Sequence, residues 1–353
     1  MRSIWIGPVN RQPGINHKNR RASPISSDSQ NRRLGGATTE VAIPPHISEA
    51  AQEYYRNAER EILDVDVSDP AGAAALRQAL HPLWATSRDD IDHPYMLEAD
   101  EIGGIAGIWI TTPETSAEQA ILLCFHGGAY VLGTPEANAA SAICVAHAAR
   151  MPVFSADYRL APEFPYPAAV DDAAAVFRAL QAQGHSADRI GVIGESAGGG
   201  LALAMALVLR DAGEPLPGAM FLTSPWVDLE GNGDSVKTMV SCDPDFPDPS
   251  ILYECAGPYA GSHSLLDPLI SPVNADLDGF PPLLIQVGSR EILLSDSLRL
   301  ARNARKADVD VTLDVWDGMW HVFNAFPSVP EAQRANAEAG AFLRRHLITD
   351  EDA

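Results

Sequence analysis

The chain of 353 residues holds only four cysteines, Cys124, Cys144, Cys242 and Cys255, and no two of them stand as C-x-x-C. That spacing argues against a zinc site or a dithiol redox centre. Cys124 lies in the apolar run Ile121-Leu122-Leu123-Cys124-Phe125 and reads as core packing. Cys242 and Cys255 could pair, although nothing in the sequence requires it. No apolar run approaches the roughly 20 residues that span a bilayer, so stable membrane insertion is not expected. Residues 1–8 lack the apolar stretch of a secretory signal, and a reducing cytoplasm is the expected compartment. Positive charge is scarce: 25 Lys and Arg stand against 47 Asp and Glu, a net charge of −22. Residues 1–39 carry seven basic residues and one acidic one, so the rest of the chain bears −28. An acidic body repels a polyanion, which argues against a nucleic-acid partner. Solubility is the simplest use of that charge. Internal repeats are absent.

Residues 1–43 show neither helical nor strand period and are expected to be an irregular or disordered arm. The arm is Arg-rich and acid-poor, as a transit peptide or a tail from an upstream start would be. Two N-terminal helices are expected within 44–90: one over 47–63, and one over 70–80 with Asp69 as its N-cap. From residue 94 the pattern changes. Eight short β-rich runs, at 95–99, 104–111, 120–125, 153–157, 189–194, 219–223, 283–287 and 311–315, alternate for the most part with helical stretches. The helices are expected at 138–150, 168–182, 196–211, 294–306 and 331–346. That alternation predicts an α/β fold with a mainly parallel sheet covered on both faces. Residues 228–275, rich in Asp, Pro, Gly and Ser, break the rhythm. They read as an insertion, with one helix near 250–259, that completes a cap begun by the N-terminal helices. The expected organisation is an arm at 1–43, cap helices at 44–90, and a catalytic domain at 91–353 with the cap insertion near 228–275.

The run Gly194-Glu195-Ser196-Ala197-Gly198-Gly199-Gly200 joins the strand at 189–194 to the helix at 196–211. A G-x-S-x-G pattern in that setting puts serine on a sharp strand-to-helix turn, with its hydroxyl raised at a helix N-terminus. Ser196 is therefore the candidate nucleophile, and the backbone N–H of Ala197 can face a developing oxyanion. His126-Gly127-Gly128-Ala129 follows the strand ending at Phe125. Successive glycines let backbone N–H groups point into a concavity. Gly127 and Gly128 are the expected oxyanion donors beside Ala197, with His126 bracing the loop.

A serine nucleophile needs a base on a loop at the same sheet edge. His321, in Gly318-Met319-Trp320-His321, follows the last expected strand and has the chain order Ser, acid, His. Three acids are candidates to orient it. Glu291 stands in the loop just past the strand at 283–287, Asp296 one turn into the following helix, and Asp228 after the preceding strand. Loop position favours Glu291. Asp296 and Asp228 have capping or loop bracing as their ordinary roles.

These motifs together resemble the bacterial hormone-sensitive-lipase-like family of α/β-hydrolases. The resemblance runs from about Leu122 to Phe323. It is carried by His126-Gly127-Gly128-Ala129, Asp157-Tyr158-Arg159-Leu160-Ala161-Pro162-Glu163 with Pro165-Tyr166-Pro167-Ala168, Gly194-Glu195-Ser196-Ala197-Gly198-Gly199, Asp267-Pro268 with Ser271-Pro272, and Trp320-His321. It implies an eight-stranded, mostly parallel sheet flanked by helices, a helical cap, and hydrolysis of carboxylic esters without cofactor or metal. Two departures stand out. Glu195 replaces the usual Asp before the nucleophile, and Glu291 the usual Asp of the acid loop. Tyr158, Arg159 and Glu163 read as structural.

The expected substrate is a small-molecule ester, with activity rising through about pH 6–8 as His321 becomes neutral. Tyr130, Trp226 and Met319 are candidate substrate-lining residues, each equally able to be packing. A homodimer through the last strand and helix is expected from similar proteins. Two other readings stand beside the esterase: an amidase or lactonase using the same triad, and a non-catalytic small-molecule-binding protein on the same fold. A binding protein of that kind would be expected to lack the serine or the histidine, and both are present.

Overall fold

The computed structural model describes residues 4–6, 42–58, 65–116, 120–240, 242–245 and 250–348. Most of the expected arm, and the end of the first expected helix, lie outside the described residues. One sheet contains β1 (Ile4–Ile6), β2 (Tyr95–Ile102), β3 (Ile105–Thr111), β4 (Ile121–Phe125), β5 (Val153–Ala156), β6 (Ile190–Glu195), β7 (Ala219–Thr223), β8 (Leu283–Gly288) and β9 (Val311–Trp316). Their order is β1-β2-β3-β5-β4-β6-β7-β8-β9. Pairing is antiparallel from β1 through β3 to β5 and parallel from there to β9. The eight expected strands are all present. The ninth, β1, corrects the reading of residues 1–43 as wholly irregular: Ile4, Trp5 and Ile6 pair with Leu97, Met96 and Tyr95. An Ile-Trp-Ile triplet suits a strand, and it pairs with backbone groups of β2 that would otherwise form an open edge.

The helices are α1 (Glu49–Asn57), α2 (Pro70–Ala85), α3 (Ala139–Ala149), α4 (Ala168–Ala182), α5 (Ala197–Asp211), α6 (Ser235–Thr238), α7 (Ser250–Ala260), α8 (Leu294–Lys306) and α9 (Pro330–Leu347). The strands β4, β6, β7 and β8 are buried at every position. Their side chains still alternate between faces, as the period of a strand demands. Ile121, Leu123 and Phe125 join Val192, Leu222 and Ile285 under α4, α5 and α8. Leu122 and Cys124 join Ile193, Phe221 and Leu284 under α3 and α9. Each such Leu, Ile or Phe contributes roughly 1.5–3 kcal/mol on burial. All four cysteines are free thiols, so Cys242 and Cys255 do not pair. No helix among the described residues is long and apolar enough to cross a membrane.

The two N-terminal helices are tied to different loops: α1 to the one after the outer strand β9, α2 to those after the central strands β4 and β5. In α1, Tyr54 stacks on Trp320 at 4.3 Å, and the Tyr55 hydroxyl donates to the Gly318 carbonyl at 2.9 Å. Ser48, which caps α1, donates through its N–H and hydroxyl to Glu331 of α9 at 2.8 and 2.7 Å. Asp69 caps α2 as expected, accepting from Gly72 N–H at 3.1 Å. From α2, the Arg77 guanidinium donates to the carbonyls of Val131 and Ala161, both at 2.7 Å, and forks onto Glu163 at 2.8 and 2.9 Å. One planar side chain thus joins α2 to the loops after β4 and β5.

Replacing Arg77 by Met keeps the apolar stem but strands Glu163 and two carbonyls. The expected loss is about 2 kcal/mol of stability, read as a lower urea midpoint at unchanged slope. An unchanged midpoint would show that α2 rests on apolar packing alone.

Candidate active site

Strand β6 ends at Glu195, helix α5 begins at Ala197, and Ser196 between them has φ 51° and ψ −120°. A non-glycine residue is held at such angles only by its surroundings. Here the restraints are the Ser196 N–H, which donates to Thr223 O at 2.9 Å, and its carbonyl, which accepts from Trp226 N–H at 2.9 Å. The flanking glycines allow the approach. A Cβ on Gly194 would lie 2.4 Å from the Gly198 carbonyl, and one on Gly198 would lie 2.0 Å from that of Phe125.

The loop after β4 turns through positive φ at Gly128, Ala129 and Tyr130, at 117°, 54° and 63°. His126 braces it, as expected. Its Nδ1 lies 2.8 Å from the Gly127 carbonyl, and its ring stacks on Tyr158 at 4.3 Å. Burial drives its pKa down to about 4, so it is neutral and Nδ1–H is the donor. The Tyr158 hydroxyl donates to the His126 carbonyl at 2.7 Å. The expectation for Gly127 is corrected: its N–H donates to Glu195 Oε1 at 3.2 Å and is not available to a substrate oxygen. The N–H groups of Gly128, Ala129 and Ala197 donate to no protein group among the described residues.

His321 and Glu291 meet: His321 Nδ1 lies 3.2 Å from Glu291 Oε1. An ionised carboxylate only accepts, so Nδ1 carries the proton and Nε2 is the basic nitrogen. The other carboxylate oxygen, Oε2, accepts from Ser224 Oγ at 2.7 Å and from Gly288 N–H at 2.8 Å. Burial alone lowers the pKa of His321. The hydrogen bond and charge of Glu291, with the charges of Asp243 and Asp245, outweigh it and raise it above 6.5. Neither competing acid is bonded to the imidazole. Asp296 accepts from Val227 and Asp228 N–H at 3.0 and 2.9 Å, and burial pushes its pKa to about 7. Asp228 pairs with Arg299 and accepts from Asn232 N–H. Both brace loops.

Residues 122–325 match the family described as alpha/beta hydrolase fold. The chain belongs to that family. It is a hormone-sensitive-lipase-like esterase. It is 44% identical over 224 residues to an acetyl-hydrolase of Streptomyces hygroscopicus, covering 63% of this chain and 75% of that one. It is 37% identical over 249 residues to an esterase of Acinetobacter venetianus, covering 68% and 79%. Among solved structures, an esterase from the bacterial hormone-sensitive lipase family superposes with a TM-score of 0.73 at 39% identity, covering 78% of this chain and 92% of that one.

In the esterase these three side chains are nearly enclosed: Ser196 and His321 are each 6% exposed and Glu291 is fully buried. Three expected lining residues do not line an opening. Tyr130 and Trp226 are 1% exposed and Met319 is 0%. Tyr130 is covered by Tyr259 of α7, stacked at 3.7 Å, and Met319 packs with Ile47, Tyr55 and Trp320. Their side chains fill space between elements, leaving little or no surface for a ligand. A surface cleft of about 560 Å³ involves Ala187, Asp188 and Leu216, before β6 and β7, at the opposite edge of the sheet.

Sequence reading missed several residues of the site. Glu195 accepts from Asn138 Nδ2 at 2.9 Å and Ser141 Oγ at 2.7 Å as well as from Gly127, tying the Ser196 turn, the loop after β4 and α3 together. Its position beside the G-x-S-x-G serine was the available signal. Asp243, fully buried, accepts from Ile292 N–H at 3.3 Å and holds the acid loop from the 228–275 insertion; burial and Asp245 push its pKa to about 8. Nothing in the sequence singled out Asp243 or Ser224.

An imidazole titration checks this geometry apart from any activity. The His321 ring, followed by NMR, is expected to lose its proton above pH 6.5. In Glu291→Gln the leading upward contributions vanish and the midpoint falls. A midpoint unmoved by Glu291→Gln would break the assigned pairing.

Proposed function

We propose that Ser196, His321 and Glu291 carry out a two-step acyl transfer that hydrolyses carboxylic esters. The observation that supports it best is the buried Glu291–His321 pair at the sheet edge where the Ser196 turn stands. His321 Nε2 takes the Ser196 proton as Oγ attacks the ester carbonyl. Glu291 holds the imidazole and stabilises its charged form. The N–H groups of Gly128, Ala129 and Ala197 receive the oxyanion, each worth roughly 3–4 kcal/mol in the transition state. His321 then protonates the leaving alcohol, and afterwards activates water to release the acid. The site holds the imidazolium well, so the basic form appears only above pH 6.5, and activity rises with pH through that range.

The cap is proposed to combine residues 44–90 with the 228–275 insertion. Tyr54 of α1 donates to Asp245, and Tyr259 of α7 covers the oxyanion loop through Tyr130. A site so nearly closed favours small or medium acyl groups, in keeping with the name of the Streptomyces relative. The outer strand β9, with Val315 exposed, supports pairing with a second copy.

Ser196→Ala is expected to lower kcat on p-nitrophenyl acetate by about 10⁴-fold or more. An organophosphate should label one serine per chain, and this variant should escape labelling. Retained turnover or labelling in Ser196→Ala would sink the scheme. Faster turnover of an anilide than of the matching ester would favour the amidase reading.

A further inference from the structure

We infer that Ser224 is a positioning residue of the esterase, fixing the Glu291 carboxylate against His321. The inference rests on the triad proposed above. Thr223 and Ser224 stand at the end of β7, between the nucleophile turn and the acid loop. The Thr223 carbonyl accepts from Ser196 N–H at 2.9 Å. Ser224 N–H donates to the Gln286 carbonyl at 2.8 Å. The Ser224 hydroxyl accepts from Val322 N–H at 3.1 Å, which directs its own hydrogen to Glu291 Oε2, 2.7 Å away. Two consecutive residues therefore hold the backbone of the nucleophile, the side chain of the acid and the residue after the base.

Three features separate this serine from a buried hydroxyl that has merely found partners. It is fully buried, so water does not replace either bond. It sits at φ 46°, a left-handed conformation that serine adopts at a cost. With Gly288 N–H it occupies Oε2, and Oε1 is left to meet His321. The need is greater for Glu than for Asp. A glutamate has one more side-chain torsion, so its carboxylate must be restrained at the far end. Ser224 supplies that restraint.

The test measures Ser224→Ala, Ser224→Gly, Glu291→Gln and the double variant Ser224→Ala with Glu291→Gln on a p-nitrophenyl ester across pH. Glycine suits the left-handed backbone and keeps the test open if alanine fails to fold. In both Ser224 variants kcat is expected to fall about 10- to 100-fold. KM should change less than about threefold, because the interaction is not with substrate. The acidic limb of kcat/KM should move to lower pH, in the direction of Glu291→Gln. The double variant should be no slower than Glu291→Gln alone, because the hydroxyl then has no carboxylate to hold. Full turnover in the Ser224 variants, losses that multiply in the double variant, or an unmoved limb would each overturn the inference. Failure of the wild-type enzyme to take an organophosphate at Ser196 would overturn the triad reading itself, and this one with it.

Discussion

Helix α5 meets the end of strand β4 with no room for a methyl group between them, since a Cβ on Gly198 would fall 2.0 Å from the Phe125 carbonyl. That approach fixes the rest of the site. It sets the start of the helix beside the loop that leaves β4, so the Ala197 N–H and those of Gly128 and Ala129 belong to one small region. It also forces Ser196 into a left-handed turn, and the strain is borne by the sheet on one side and by α5 on the other. Glu195, next to the turn, carries three hydrogen bonds that join the two loops. Its longer side chain, in place of the more usual aspartate, reaches both Gly127 and the first turn of α3.

The strands of the sheet were legible because β4, β6, β7 and β8 are covered on both faces and read as unbroken apolar runs. The placement of Ser196 on a strand-to-helix turn and of His321 in a loop past the last strand was legible from chain order and from the elements around them. Glu291 was separable from Asp296 because one stands before α8 and the other inside it. What could not be read depends on the direction of a group rather than its place. Gly127 has the right position for an oxyanion donor, but its N–H turns to a carboxylate from a different element. Tyr130, Trp226 and Met319 lie near the site in sequence, yet their side chains end inside the packing between elements. Ser224 has no motif of its own, and its neighbours at 291 and 322 lie 67 and 98 residues away. The strand β1 escaped notice because three residues are too few to show a period.

The electrostatic character of the site follows from burial as much as from charge. Glu291 and Asp243 sit without surface beside an imidazole that is itself nearly enclosed. Low dielectric strengthens the attraction between Glu291 and His321 and also makes each unpaired charge expensive. The esterase meets the second problem in two ways: Glu291 is hydrogen-bonded by Ser224 and Gly288, whereas Asp243, its pKa pushed up to about 8 by burial, holds its proton at neutral pH while accepting from two backbone N–H groups.

The contact between Ser48 and Glu331 joins residues 283 positions apart, and through it α1, with Tyr54 and Tyr55, is anchored to α9 beside Trp320. During synthesis the Ser196 turn and the loop after β4 leave the ribosome well before α9 does. Until Trp320 and then that helix emerge, α1 has neither the indole on which it rests nor the carboxylate that holds its capping serine. The packing of α1 is therefore completed late, and a growing chain leaves the apolar face of that helix uncovered for most of its translation.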